Sequence, residues 1–205
     1  MKIQIFPILA FSPTDKDFTG NFYNGTAFLI DEQGHFYTAG HNFHKRERGQ
    51  ETERLNCFAL INGELIPTKE LFLEYQRDSD DLMMDFAYGK ILGFNTSPNV
   101  ITIDCNEPIA LGYTGRELSF EKIATTKWNE KEFHLYKVPI SIGTNSKELL
   151  PGIPISFANV LFYTTEIKVS LEGLSGCPIL HNDNLLGVLV SHCFITKEYI
   201  DKKIM

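Results

Sequence analysis

Short apolar runs rich in Phe, Ile, Val and Tyr, broken every 8–12 residues or so by Gly, Pro and Asn, run the length of this chain. Strands of that length and spacing specify an all-β protein, because each run is long enough to cross a sheet once and ends in residues that turn the backbone. Helix formers gather only after His41 and over 196–203, where a turn and a short C-terminal helix are expected. With 205 residues, 43% hydrophobic and 22% charged, the chain can bury a sizeable core, enough for two small barrels in one functional unit. The apolar opening Ile3-Gln4-Ile5-Phe6-Pro7-Ile8-Leu9-Ala10-Phe11 contains a Gln and a Pro, follows a single lysine and lacks a small-x-small cleavage site. It reads as a first strand rather than a secretory signal, and no run is long enough to suggest a membrane span.

Two hairpins carry the chemistry. Gly25-Thr26-Ala27-Phe28-Leu29-Ile30 turns at Asp31-Glu32-Gln33-Gly34 into His35-Phe36-Tyr37-Thr38-Ala39, and His41 ends the second strand. Pro178-Ile179-Leu180 turns at His181-Asn182-Asp183-Asn184 into Leu185-Leu186-Gly187-Val188-Leu189-Val190, and Ser175 stands just before it in Glu172-Gly173-Leu174-Ser175-Gly176-Cys177-Pro178. Between them Asp85 is an acid inside the apolar run Met83-Met84-Asp85-Phe86-Ala87, where a charge needs a donor. Taken singly, each has an ordinary structural reading: a turn serine, a strand-end histidine, an aspartate bonded to backbone amides. Together they give the order His…Asp…Ser, one of the known orders for nucleophilic acyl transfer. A serine hydroxyl is a weak nucleophile until a base takes its proton, and the base needs a partner to fix its tautomer. Gly173 and Gly176 would let the turn enter backbone conformations closed to other residues, so that the amides of Gly173 and Ser175 can aim at one developing oxyanion. The rival nucleophile elbow of α/β-hydrolases needs a G-x-S-x-G turn leading into a helix, with acid and histidine after the serine; here the second glycine is adjacent and a hairpin follows.

These residues resemble a trypsin-like (chymotrypsin-fold) serine peptidase. Thr38-Ala39-Gly40-His41 is similar to the family's Thr-Ala-Ala-His, Asp85-Phe86-Ala87 to its Asp-x-Ala, and Gly173-Leu174-Ser175-Gly176-Cys177-Pro178 to Gly-x-Ser-Gly-Gly-Pro. Ala110-Leu111-Gly112-Tyr113 resembles the opening strand of the family's second barrel, and separations of 44 and 90 positions between the three motifs suit two sequential barrels. The resemblance implies two six-stranded antiparallel β-barrels with the site in the cleft between them. Residues 1–98 would form the N-terminal barrel with His41 and Asp85, and 99–205 the C-terminal barrel with Ser175 and the C-terminal helix. It implies His41 as base, Asp85 as its orienting acid, Ser175 as nucleophile and the Gly173 and Ser175 amides as oxyanion hole. The implied substrate pocket lies at 168–172 and 190–193, with Val169, Ser170, Val190 and His192 on its walls. Val169 falls where a member specific for basic residues carries an acid, so an apolar side chain is the expected occupant, with His192 either a rim residue or a partner for Gln, Glu or Asp.

Two departures narrow the branch. Zymogen-derived members carry an aspartate before the serine to receive a new N-terminus, whereas Leu174 stands here, which resembles the non-zymogen type. Cys177 replaces a glycine, which raises the question of whether the turn keeps its geometry. Cys57, Cys105, Cys177 and Cys193 lack C-x-x-C spacing, and Asn42 follows His41 where secreted relatives often carry a bridging cysteine. Four free thiols, a cytoplasmic setting and no metal are expected. A net charge of −7 argues against nucleic-acid binding, the cluster His44-Lys45-Arg46-Glu47-Arg48 being a solvated loop or a dock for an acidic segment. The chemistry needs no cofactor. The expected partners are a protein or peptide substrate and, since free proteolysis would harm a cell, either narrow specificity or an activating protein. A silent peptide-binding module of the same fold and an esterase using the same residues are the alternatives.

Overall fold

The computed structural model of the chain describes residues 1–45, 53–75, 85–95, 97–143, 155–160, 172–190 and 193–204. Its first half contains β1 (Lys2–Phe11), β2 (Phe22–Leu29), β3 (His35–Thr38), the two-residue pair β4 (His44–Lys45) and β5 (Glu53–Arg54), β6 (Asn56–Ile61), β7 (Glu64–Tyr75), β8 (Asp85–Ile91) and β9 (Val100–Thr102). The second half contains β10 (Ile109–Thr114), β11 (Glu121–Trp128), β12 (Lys131–Gly143), β13 (Ile155–Val160), β14 (Pro178–His181), β15 (Asn184–Val190) and β16 (Cys193–Thr196). The chain then enters helix α1 (Lys197–Ile204).

Each half closes on itself. The order β2-β3-β8-β7-β6-β1 returns to β2 through the β1–β2 ladder, and β10-β14-β15-β16-β13-β12 returns to β10 through the β10–β12 ladder. Both are six-stranded antiparallel barrels, with β9 added along β1 and β11 along β12. Closure removes the open edges of the six-stranded barrels themselves. The turns follow local chemistry: Asn182 and Asp183, with φ of 49° and 59°, both take the left-handed conformation that a two-residue type I′ hairpin demands.

Side-chain alternation along β1 shows where the core lies. Phe6, Ile8 and Ala10 join the interior cluster of the first barrel, while Ile5, Leu9 and Phe11 join a second cluster shared with Leu111, Leu135 and Ile195 of the other barrel. A strand buried on both faces reads as a continuous apolar run, which is the pattern of Ile5 to Phe11, and the first strand expected there is β1. Pro7 sits where β1 changes neighbours from β9, paired to Gln4, to β6, paired from Ile8. β10 repeats the arrangement, with Ala110 inside the second barrel and Ile109, Leu111 and Tyr113 in the shared cluster.

Aromatic rings fasten one end of the interface. Phe11 is fully buried, with its ring 5.2 to 5.9 Å from those of Phe18, Phe22, Phe58 and Trp128, and Trp128 comes from the second barrel. At the other end α1 leaves the second barrel and returns to the first, where the Tyr199 hydroxyl donates to the Glu74 carboxylate at 2.9 and 3.0 Å and Lys203 Nζ lies 3.4 Å away. Among the described residues no helix is long and apolar enough to cross a membrane.

Phe11→Ala should remove about 3–5 kcal/mol of unfolding free energy, the usual result of emptying a buried aromatic site. Trp128, the only tryptophan, should report it by a red-shifted emission; an unchanged midpoint and emission would show that this cluster does not hold the barrels. Burial pushes the phenols of Tyr37 and Tyr113 up to about 12 from an ordinary 10. The native state therefore keeps these protons longer than the unfolded chain does. Their contribution to stability should be complete below pH 10 and lost as pH rises toward 12, with Tyr37 and Tyr113 ionising near 12 in an ultraviolet absorbance titration.

Candidate active site

Three segments converge where the barrels meet. β3 ends at Thr38, Ala39 remains extended, and the chain tightens into a 3-10 turn over Gly40–Asn42, closed by Phe43 N–H donating to the Gly40 carbonyl at 2.9 Å. His41 thus sits in the turn itself rather than before it. Asp85 opens β8, which pairs with β3, so the strand ladder delivers the acid to the histidine turn. One carboxylate oxygen accepts from the His41 backbone N–H at 2.7 Å and the other faces His41 Nδ1 at 2.5 Å. An ionised carboxylate can only accept, so this contact puts the proton on Nδ1 and leaves Nε2 with its lone pair. The pair is partly sheltered, with side-chain exposures of 36% for His41 and 18% for Asp85.

Gly40 is explained by the same approach. A Cβ there would stand 3.0 Å from Asp85 Oδ1 and from Leu73 Cδ1, so an alanine would have to push the carboxylate or the leucine aside.

Ser175 lies in the turn 172–176 of the second barrel, half-buried. Gly173 and Gly176 have φ of 93° and 91°, so both are in the left-handed region that favours glycine. Space forbids a side chain as well: a Cβ on Gly176 would lie 2.2 Å from the Thr26 carbonyl oxygen and 2.8 Å from the Ala39 nitrogen. The serine turn therefore rests directly on the hairpin that carries His41. Polar contacts cross here too. Thr26 N–H donates to the Ser175 carbonyl at 2.9 Å, Thr26 Oγ1 donates to the Gly173 carbonyl at 2.9 Å, and Asn42 Nδ2 donates to the Ser175 carbonyl at 3.1 Å.

The two departures resolve physically. Leu174 is 1% exposed and belongs to the interior cluster of the second barrel, so the position is filled by core packing. Cys177 lacks a positive φ, is fully buried in that cluster, and donates its N–H to the Leu174 carbonyl at 3.0 Å. A side chain is tolerated at that position, and burial pushes its thiol pKa up, keeping the sulfur neutral. Of the implied pocket residues, Val169, Ser170 and His192 lie outside the described residues, and Val190 is 3% exposed within the cluster shared by both barrels. Of the basic cluster, Arg46, Glu47 and Arg48 also lie outside; His44 is paired through Nε2 with Glu70 Oε2 at 2.8 Å. Thr26, Thr38 and Asn42, all at most 3% exposed, are the site residues that reading the sequence for reactive groups passed over. Their signal is a polar side chain inside an apolar strand or next to the histidine, which must find partners when buried.

The sequence matches no family description, and no curated protein matches it. Solved structures do match. The Rv3671c protease from M. tuberculosis in its active form aligns with a TM-score of 0.51 at 15% identity, covering 98% of this chain and 79% of that one. Its inactive serine-to-alanine mutant gives the same score and identity over 98% and 85%, and Deg5 gives 0.51 at 15% over 97% and 86%. At such identity the likeness is one of fold: two closed six-stranded barrels meeting at a shared face, the fold of the trypsin-like serine proteases.

Proposed function

We propose that the protein is a serine endopeptidase acting through His41, Asp85 and Ser175. The observation that carries the reading is the double contact of Asp85 on His41, with backbone N–H and ring nitrogen held at 2.7 and 2.5 Å. That arrangement fixes ring orientation and tautomer together, which a general base requires and a structural histidine does not. In the proposed reaction His41 Nε2 takes the Ser175 hydroxyl proton as Oγ adds to the scissile carbonyl. The amides of Gly173 and Ser175 receive the oxyanion, each donor contributing ~3 kcal/mol of transition-state stabilisation. Collapse of the tetrahedral species expels the amine, which leaves with the proton returned by His41. Water then repeats the sequence on the acyl-enzyme and restores Ser175.

The finer features belong to the same proposal. Leu174 in the core supports a non-zymogen type, since it has no carboxylate to receive a new N-terminus. Cys57, Cys105 and Cys177 are free thiols, which favours a reducing cytoplasmic setting. Narrow specificity or an activating partner accompanies this reading, with an apolar residue before the scissile bond as the expected preference.

A fluorophosphonate probe with mass-spectrometric localisation tests the reading. One adduct per chain is expected on Ser175, absent from Ser175→Ala and His41→Ala. Asp85→Asn should slow it ~10⁴-fold, the order found when a buried triad aspartate loses its charge. Folded protein that forms no adduct, or carries it elsewhere, would contradict the assignment.

A further inference from the structure

Resting on the reading of Ser175 as nucleophile, we infer that Asn42 is a positioning residue that holds the nucleophile's peptide unit against the base. Asn42 is 3% exposed and directly follows His41 in the 3-10 turn. Its Nδ2 carries two hydrogens and both are used, one on Thr38 Oγ1 at 2.8 Å and one on the Ser175 carbonyl at 3.1 Å. The Thr38 hydroxyl passes its own hydrogen to the Thr26 carbonyl at 2.7 Å, and Thr26 N–H returns to the Ser175 carbonyl at 2.9 Å. These bonds form a ring with one consequence for Ser175. Both acceptor directions of its carbonyl are filled from the first barrel, while the N–H of the same peptide unit, on Gly176, donates to the Leu189 carbonyl of the second at 2.8 Å.

A peptide unit held at both ends cannot rotate, and its rotation is what would swing Ser175 Cβ relative to His41. Asn42 makes this link through the residue next to the base, so histidine and serine are registered to each other by one side chain. The amide orientation is set by the ring: turned over, Oδ1 would oppose the Ser175 carbonyl, acceptor against acceptor. The underside of the turn is fixed too, since the Asn42 carbonyl accepts from Cys57 Sγ at 3.0 Å. Thr26 alone would leave the Ser175 carbonyl one bond and freedom to tilt.

The test compares full-length wild type with Asn42→Ala, following both the rate and the final stoichiometry of fluorophosphonate labelling across pH. Expected for Asn42→Ala is a rate constant at least tenfold lower, one adduct per chain at completion, and an unchanged midpoint in the pH profile, because the base keeps Asp85. A purely structural role would instead lower the labelled fraction and leave the rate constant of the remainder at the wild-type value, and that result overturns the inference. So does wild-type labelling at full stoichiometry. Thr38→Val removes the acceptor of the ring while keeping its shape, and should slow labelling in the same way; it carries the comparison if Asn42→Ala does not fold. Wild type that never labels defeats the nucleophile reading itself, and the inference with it, a result distinct from wild type that labels and Asn42→Ala that labels equally fast.

Discussion

The Ser175–Gly176 peptide unit is the point on which this molecule turns. Its carbonyl is bonded by Thr26 and Asn42 of one barrel and its N–H by Leu189 of the other, with the Thr26 carbonyl so close beneath Gly176 that no side chain fits. Each bond in isolation contributes about 1 kcal/mol net, but leaving a buried donor or acceptor unpaired costs more, about 1–3 kcal/mol. The polar ring therefore acts by exclusion: another docking of the barrels would leave the N–H and hydroxyl of Thr26 and one Nδ2 hydrogen of Asn42, all bonded to the serine turn, without those acceptors in an apolar interior. Hydrophobic burial brings the barrels together without direction, and the ring selects the register in which the serine turn meets the histidine turn.

The proposed function depends on that register. Asp85 reaches His41 through the β3–β8 ladder of a single barrel, so that pair is specified locally. Ser175 arrives from the other barrel and depends on the interface. The same interface is served by aromatic packing at Phe11 and Trp128 and by the α1 contact of Tyr199 with Glu74, one residue before the Tyr75 that pairs with Asp85. Elements far apart in sequence thus bear on one cleft.

Much of this was legible in the sequence. Alternation and turn chemistry marked β2, β3, β14 and β15, and the three motifs in order pointed to two barrels. The helix after Thr196 was visible in its composition. What the sequence could not show is what depends on spatial neighbours. Gly40 stands where the family motif has an alanine, and the reason is spatial: the Asp85 carboxylate lies 3.0 Å from where its Cβ would be. Cys177 raised a doubt about backbone angles that its φ removes. Asn42 was noticed only as the absence of a bridging cysteine, because a side chain whose partners lie 133 positions away carries no local pattern.

A crystal structure of the protein with a peptidyl boronate tests the central claim most directly, since boron becomes tetrahedral when a serine adds to it. The account predicts a bond from Ser175 Oγ to boron, one boronate oxygen on the Gly173 and Ser175 amides, the other facing His41 Nε2, and the Asn42 bond to the Ser175 carbonyl intact. A boronate bound without a bond to Ser175, or bonded with the Ser175–Gly176 peptide turned over and the Asn42 contact broken, would contradict it.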